Sequence, residues 1–191
     1  MKIKIWGLQR SGTNYITELI KINYSHEVLT NNPVWKHCHP RICKGIDKHV
    51  AMVKDPYAWL YSYLRYAAIK EVNENIVKTE IERWNMWLAL TQKFILQAQE
   101  MSVHGSNTDI VVIDYFRLIE NPVGVLKEKI GNSVDIRDIE VRVEKGERWT
   151  DKQFNKAFWL NNEFRNDMRK KEIDFVNAYA DFTTYEKLLS L

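Results

Sequence analysis

The sequence predicts an α/β fold, with a central parallel sheet in a three-layer α/β/α arrangement, and three observations carry it. Segments with strand character alternate with segments of helical spacing along most of the chain. Two short runs, Val50 to Val53 and Ile110 to Ile113, are apolar at every position, as strands buried on both faces are. A glycine-containing loop, Gly7 to Gly12, separates the first strand segment from the first helical one.

The elements follow in order. Lys2 to Trp6 alternates polar and apolar and reads as a strand, after which Tyr15, Ile16, Leu19 and Ile20 recur at helical spacing. A second strand is expected over Val34 to His37, and a third over Val50 to Val53. Pro56 stands where a helix can begin, and the bulky residues keep helical spacing from Tyr57 to about Ala68. After a polar break, Ile81, Trp84, Leu88, Phe94 and Ile95 place another helix over Glu80 to Met101. Ile110 to Ile113 is β-branched throughout and gives the strongest strand signal. Asn121 and Pro122 then supply an N-cap and a first-turn proline, and Gly131 ends that helix. Thr150 and Gln153 have capping-box spacing, so a helical region with breaks is expected from there to Leu189.

A chain of 191 residues, 45% hydrophobic, suits one well-buried core, so a single domain over 1–191 is expected. The 28 basic and 25 acidic residues leave a net charge of +3, too small to imply nucleic-acid binding, so any anion site must be local. No stretch has signal-peptide character or approaches the roughly eighteen apolar residues of a membrane span, so a cytoplasmic protein is expected. Cys38 and Cys43 lie beside His37 and His39, but their spacing fits no standard zinc site, and no metal is assigned.

A strand that runs into Gly7 to Asn14 and then a helix builds an anion site from backbone geometry. Glycines let N–H groups converge, and the helix N-terminus adds positive potential. The glycine spacing resembles a Walker A loop, but Thr13 stands where the phosphate-reaching lysine belongs, which disfavours an ordinary ATPase or a small metabolite kinase. Arg10, Ser11, Gly12 and Thr13 instead resemble the 5′-phosphosulfate loop of sulfotransferases that use 3′-phosphoadenosine-5′-phosphosulfate (PAPS): Lys or Arg, Ser or Thr, Gly, Ser or Thr. Val53 to Tyr63 resembles the same family's 3′-phosphate motif, with a cation at the strand end, Pro two residues later, Ser eight later and an aromatic next. The cation is Lys54 where the family has Arg, which forfeits bidentate geometry. With Ser62 it can bracket a phosphate at the carboxyl edge of a parallel sheet.

The resemblance to the PAPS-dependent sulfotransferase family covers about residues 1 to 165. It implies a P-loop nucleoside-triphosphate-hydrolase-like fold and transfer of a sulfuryl group to a hydroxyl or amine of an unidentified acceptor, a carbohydrate or small molecule favoured, releasing 3′,5′-ADP without a metal. It implies nucleotide contacts from Gln9, Arg10, Ser11, Gly12, Thr13, Asn14, Lys54 and Ser62, and from Lys145 and Gly146 as a basic loop closing over the 3′-phosphate. It also implies a base from the segment Lys36 to Pro40, with His37 ahead of His39 and Lys36 assisting at the sulfate, while Arg10 neutralises charge on the leaving group. Asp114, Tyr115 and the Asn121–Pro122 helix resemble the family's structural elements, and Trp84 reads as core. A non-catalytic nucleotide-binding module that keeps the fold is the other alternative, favoured by Lys54 in place of Arg.

Overall fold

The computed structural model describes residues 1–31, 34–67, 69, 72–103, 109–131, 136 and 156–191. Among them four strands form an all-parallel sheet: β1 (Lys2–Gly7), β2 (Glu27–Leu29), β3 (Lys48–Val53) and β4 (Asp109–Asp114), in the order β2-β1-β3-β4. The class is therefore α/β, in a form compatible with three layers. Helix α1 (Thr13–Asn23) follows β1, and α2 (Pro56–Tyr66) and the long α3 (Glu74–Val103) follow β3. Helices α4 (Tyr115–Glu120) and α5 (Pro122–Lys129) follow β4. Four more, α6 (Lys156–Leu160), α7 (Glu163–Asn166), α8 (Lys170–Tyr179) and α9 (Phe182–Leu189), close the chain.

Local chemistry accounts for the helix starts. Asp55 caps α2 by accepting from Ala58 N at 3.0 Å, with Pro56 in the first turn. Asp114 caps α4 and Asn121 caps α5 in the same manner. Helix α3 begins six residues before the expected Glu80, because Val77 belongs to the buried face and Asn73 Oδ1 accepts from Ile76 N at 3.0 Å. The central strands β1 and β3 are buried on both faces, and their side chains join Leu19, Leu60, Trp84, Phe94, Leu126 and Phe164 in one hydrophobic cluster.

One expectation is corrected. The second strand lies at Glu27–Leu29, not at Val34 to His37, which forms a bend and a turn closed by Cys38 N donating to Trp35 O at 3.0 Å. That segment still meets the sheet through one bond, Gly7 N to Lys36 O at 3.0 Å, too little to make a strand. In β1 the polar position at Lys4 does not face solvent. Lys4 is wholly buried and donates through Nζ to Thr30 O at 2.9 Å and to Val34 O, so it ties Thr30 and Val34 to the sheet. The capping box at Thr150 and Gln153 lies outside the described residues.

Candidate anion site at the carboxyl edge of the sheet

The loop between β1 and α1 is held in shape from within and from behind. Ser11 is buried and its hydroxyl donates to Leu8 O at 2.7 Å, so it shapes the turn instead of facing outward. Arg10 has φ 71° and Gly12 φ 92°. At Gly12 a Cβ would stand 2.5 Å from Tyr115 Cδ2, so both conformation and space require glycine there. From behind, Trp59 Nε1 on α2 donates to Gln9 O at 2.9 Å.

A cleft of about 230 Å³ opens over this loop. Gln9, Arg10, Gly12, Thr13 and Asn14 form its floor, at the N-terminus of α1. Lys54, from the end of β3, and Ser62, two turns into α2, form one side. Trp35 and His37 form another, and Tyr66, Tyr115 and Trp159 complete the wall. No carboxylate of the described residues lines it.

Lys54 is only 3% exposed. Its Nζ donates to Ser62 Oγ at 2.8 Å and to Arg10 O at 3.4 Å, and Ser62 Oγ in turn donates to Ala58 O at 2.9 Å. The ammonium also lies 4.0 Å from the ring centre of Trp159 and 4.3 Å from that of Tyr115. Trp84 Nε1, on α3, donates to Lys54 O at 3.0 Å and fixes its backbone. Burial first, and then the neighbouring Arg10 charge, hold Lys54 well below the usual lysine range, with Asp55 opposing weakly. Arg10 is shifted down by the same desolvation, and its guanidinium stacks 5.0 Å from the Tyr66 ring centre. Two desolvated cations beside a helix N-terminus, with no acid among the described lining residues, make a site that an anion would complete.

His37 stands where the turn meets the end of β1. Its Nδ1 donates to Gly7 O, which leaves Nε2 as the acceptor nitrogen. Burial, reinforced by Lys36 and Arg83, pushes its pKa below the ordinary histidine value, while the Gly7 bond opposes. The shift favours the neutral imidazole. Lys36 Nζ donates to Asn14 Oδ1 at the cleft's edge.

The structure thus brings together Gln9, Arg10, Gly12, Thr13, Asn14, His37, Lys54 and Ser62. Ser11 lies beneath the loop, and His39 lines a different cavity. Lys145 and Gly146 lie outside the described residues. Sequence reasoning assigned Tyr115 a structural role and gave Trp159 and Trp59 none. A tryptophan that folds back onto the site from more than a hundred residues away leaves no local pattern to read. Cys38 and Cys43 are free thiols, and no cluster of three or more His, Cys, Asp or Glu suited to a metal ion occurs among the described residues. No described helix is long and apolar enough to cross a membrane.

Comparison of the chain with protein-family models, with curated proteins and with solved structures returned no match.

Proposed function

We propose that the chain is a sulfotransferase that moves a sulfuryl group from PAPS to a hydroxyl or amine and releases 3′,5′-ADP, on a P-loop-like α/β scaffold. The observation that carries this is the cleft itself. It sets Arg10 and the α1 N-terminus beside Lys54 and Ser62, with a histidine of lowered pKa on another wall and no carboxylate among the described residues that line it. PAPS supplies an activated sulfuryl group and two phosphate sites, and both halves of the cleft suit such anions.

In this reading the backbone N–H groups at Gly12 to Asn14, with Thr13, hold the 5′-phosphate. Arg10 neutralises negative charge that grows on it as the sulfur–oxygen bond breaks. Lys54 and Ser62 take the 3′-phosphate. His37 accepts the acceptor's proton at Nε2, since Gly7 O holds the other ring nitrogen protonated. His39 lines the second cavity but not this cleft, which favours His37 as the base in this reading. A metabolite kinase fits less well, because Thr13 replaces the anchoring lysine and the described cleft lining offers no acid for Mg²⁺.

The test is turnover: PAPS incubated with the protein and a panel of phenols, alcohols, sugars and amines should yield 3′,5′-ADP together with a sulfated product. The His37→Ala variant should lose at least about a hundredfold in rate. Turnover of ATP with Mg²⁺ in place of PAPS would overturn the assignment.

A further inference from the structure

His37 belongs to two cavities. Besides the cleft above, it lines a second space of about 250 Å³. Trp35 and Lys36 face the first: Trp35 lines it, and Lys36 reaches Asn14 at its edge. Cys38 and His39 face the second. The two cavities therefore meet at His37, which lines both and can contact a group held in either.

The second cavity has a defined chemistry. Leu8 forms one wall, and α3 presents Arg83, Met86 and Trp87 from one face. Met86 is half exposed, and Trp87 is buried with an indole Nε1 that has no hydrogen-bond partner among the described residues. Leucine, thioether and indole suit a flat apolar body. Arg83 is the permanent charge of the described lining. Its guanidinium is held loosely: Nη1 lies 3.3 Å from Tyr63 OH and 3.5 Å from Glu80 Oε2, and the side chain is 37% exposed. That contact with Glu80 is long for an arginine–carboxylate pair and leaves capacity for a second anion. No acid lines the cavity among the described residues.

We propose that this second cavity is the acceptor subsite, and that it takes an aromatic hydroxy acid, with the ring against Met86 and Trp87, the carboxylate on Arg83 and the hydroxyl at His37. The inference rests on the sulfotransferase reading and narrows it. In the step so arranged, the acceptor oxygen bonds to sulfur and the bridging sulfur–oxygen bond to the 5′-phosphate breaks. The electron pair leaves with 3′,5′-ADP, and the hydroxyl proton passes to His37 Nε2 and then to water. The product is an aryl sulfate that keeps its carboxylate. Arg83 touches the acceptor away from the reacting atoms, so it sets affinity and selectivity rather than chemistry.

The test compares two probes that differ only in charge, 4-hydroxyphenylacetate and 4-hydroxyphenylacetamide, by calorimetry with the protein saturated in 3′,5′-ADP. Wild type should bind the acid about tenfold or more tightly than the amide. Arg83→Met should bind both alike with its 3′,5′-ADP affinity unchanged, which also shows that the variant is folded, and Arg83→Lys should keep part of the preference. The inference is overturned if wild type binds the two probes equally or binds neither while retaining 3′,5′-ADP. It is also overturned if the preference survives in Arg83→Met. Binding of the acid with no binding of 3′,5′-ADP would instead remove the sulfotransferase reading, and with it the role of the cavity as an acceptor site.

Discussion

Lys54 Nζ donates to Ser62 Oγ at 2.8 Å, and that bond joins the end of β3 to the second turn of α2 along one side of the cleft. A buried ammonium whose nearest partners are a hydroxyl, a carbonyl and two aromatic faces is a costly feature for stability alone. Lys54→Met should therefore stabilise the ligand-free protein, by about 1 kcal/mol or more, because the thioether can take the same place between Tyr115 and Trp159. The same variant should lose stabilisation by 3′,5′-ADP. Thermal unfolding with and without nucleotide reads both, and a ligand-free protein made less stable by Lys54→Met would count against a functional origin for this lysine.

Because burial and Arg10 hold Lys54 well below its ordinary range, an anion placed beside it should draw a proton onto the amine. Calorimetry of 3′,5′-ADP binding near pH 8.5, where the phosphates are already fully ionised, should show proton uptake when repeated in buffers of different ionisation enthalpy. Lys54→Arg, which stays charged throughout, should abolish the uptake. Equal uptake in that variant would place the titrating group elsewhere.

His37 acts as a base only when neutral, and its pKa lies below the ordinary 6.5. Turnover should hence be flat through neutral pH and fall only below that value. Arg83→Met removes one of the charges that hold the pKa down, so the acid limb should move upward. An acid limb above pH 7 in wild type would contradict a neutral His37.

A second histidine sets the acid stability. His49 is fully buried on β3, where its Nδ1 accepts from Trp6 Nε1 at 2.9 Å, and burial lowers its pKa to about 4. Above pH 6.5 the side chain is neutral in both folded and unfolded chains and adds no pH dependence. As pH falls from 6.5 toward 4 the unfolded chain takes up the proton first, so stability declines, by an upper bound of about 3 kcal/mol. Denaturant unfolding at pH 7 and at pH 4.5 should show the decline, and His49→Gln should flatten it. An undiminished slope in His49→Gln would assign the effect to other groups.

Gly12→Ala should cost about 1 to 3 kcal/mol, since φ 92° is a strained conformation for alanine and the new Cβ would meet Tyr115 at 2.5 Å. Nucleotide binding should fall further than stability, because the loop's N–H groups would be displaced. A variant of unchanged stability and affinity would show that Tyr115 yields freely.

The parts of the fold and site that were legible in the sequence are local ones. The glycines, Arg10 and Thr13 sit within one strand–loop–helix unit, and Lys54, Pro56 and Ser62 within another, so local spacing together with the motif resemblance carried their placement. What escaped depends on contacts between distant segments. Trp59 and Trp84 hold the carbonyls of Gln9 and Lys54, and Trp159 returns to cover the lysine, through single side chains that no periodicity marks. Val34 to His37 has strand-like composition, yet the sheet edge there is met by three residues upstream, Glu27–Leu29, and by the buried charge of Lys4. A lysine in an alternating strand reads as a solvent-facing residue, and nothing in the local pattern distinguishes one that turns inward to bind carbonyls.

The most direct test of the central claim is thermal unfolding of the protein with 3′,5′-ADP, compared with 5′-ADP and with ATP plus Mg²⁺, in wild type and in Ser62→Ala. At about a hundred times its dissociation constant a ligand adds roughly 2.7 kcal/mol, enough for a clear shift. Stabilisation by 3′,5′-ADP above that by 5′-ADP, with the difference reduced in Ser62→Ala, is the expected result. Equal stabilisation by the two, or a preference for Mg-ATP, would contradict the sulfotransferase assignment.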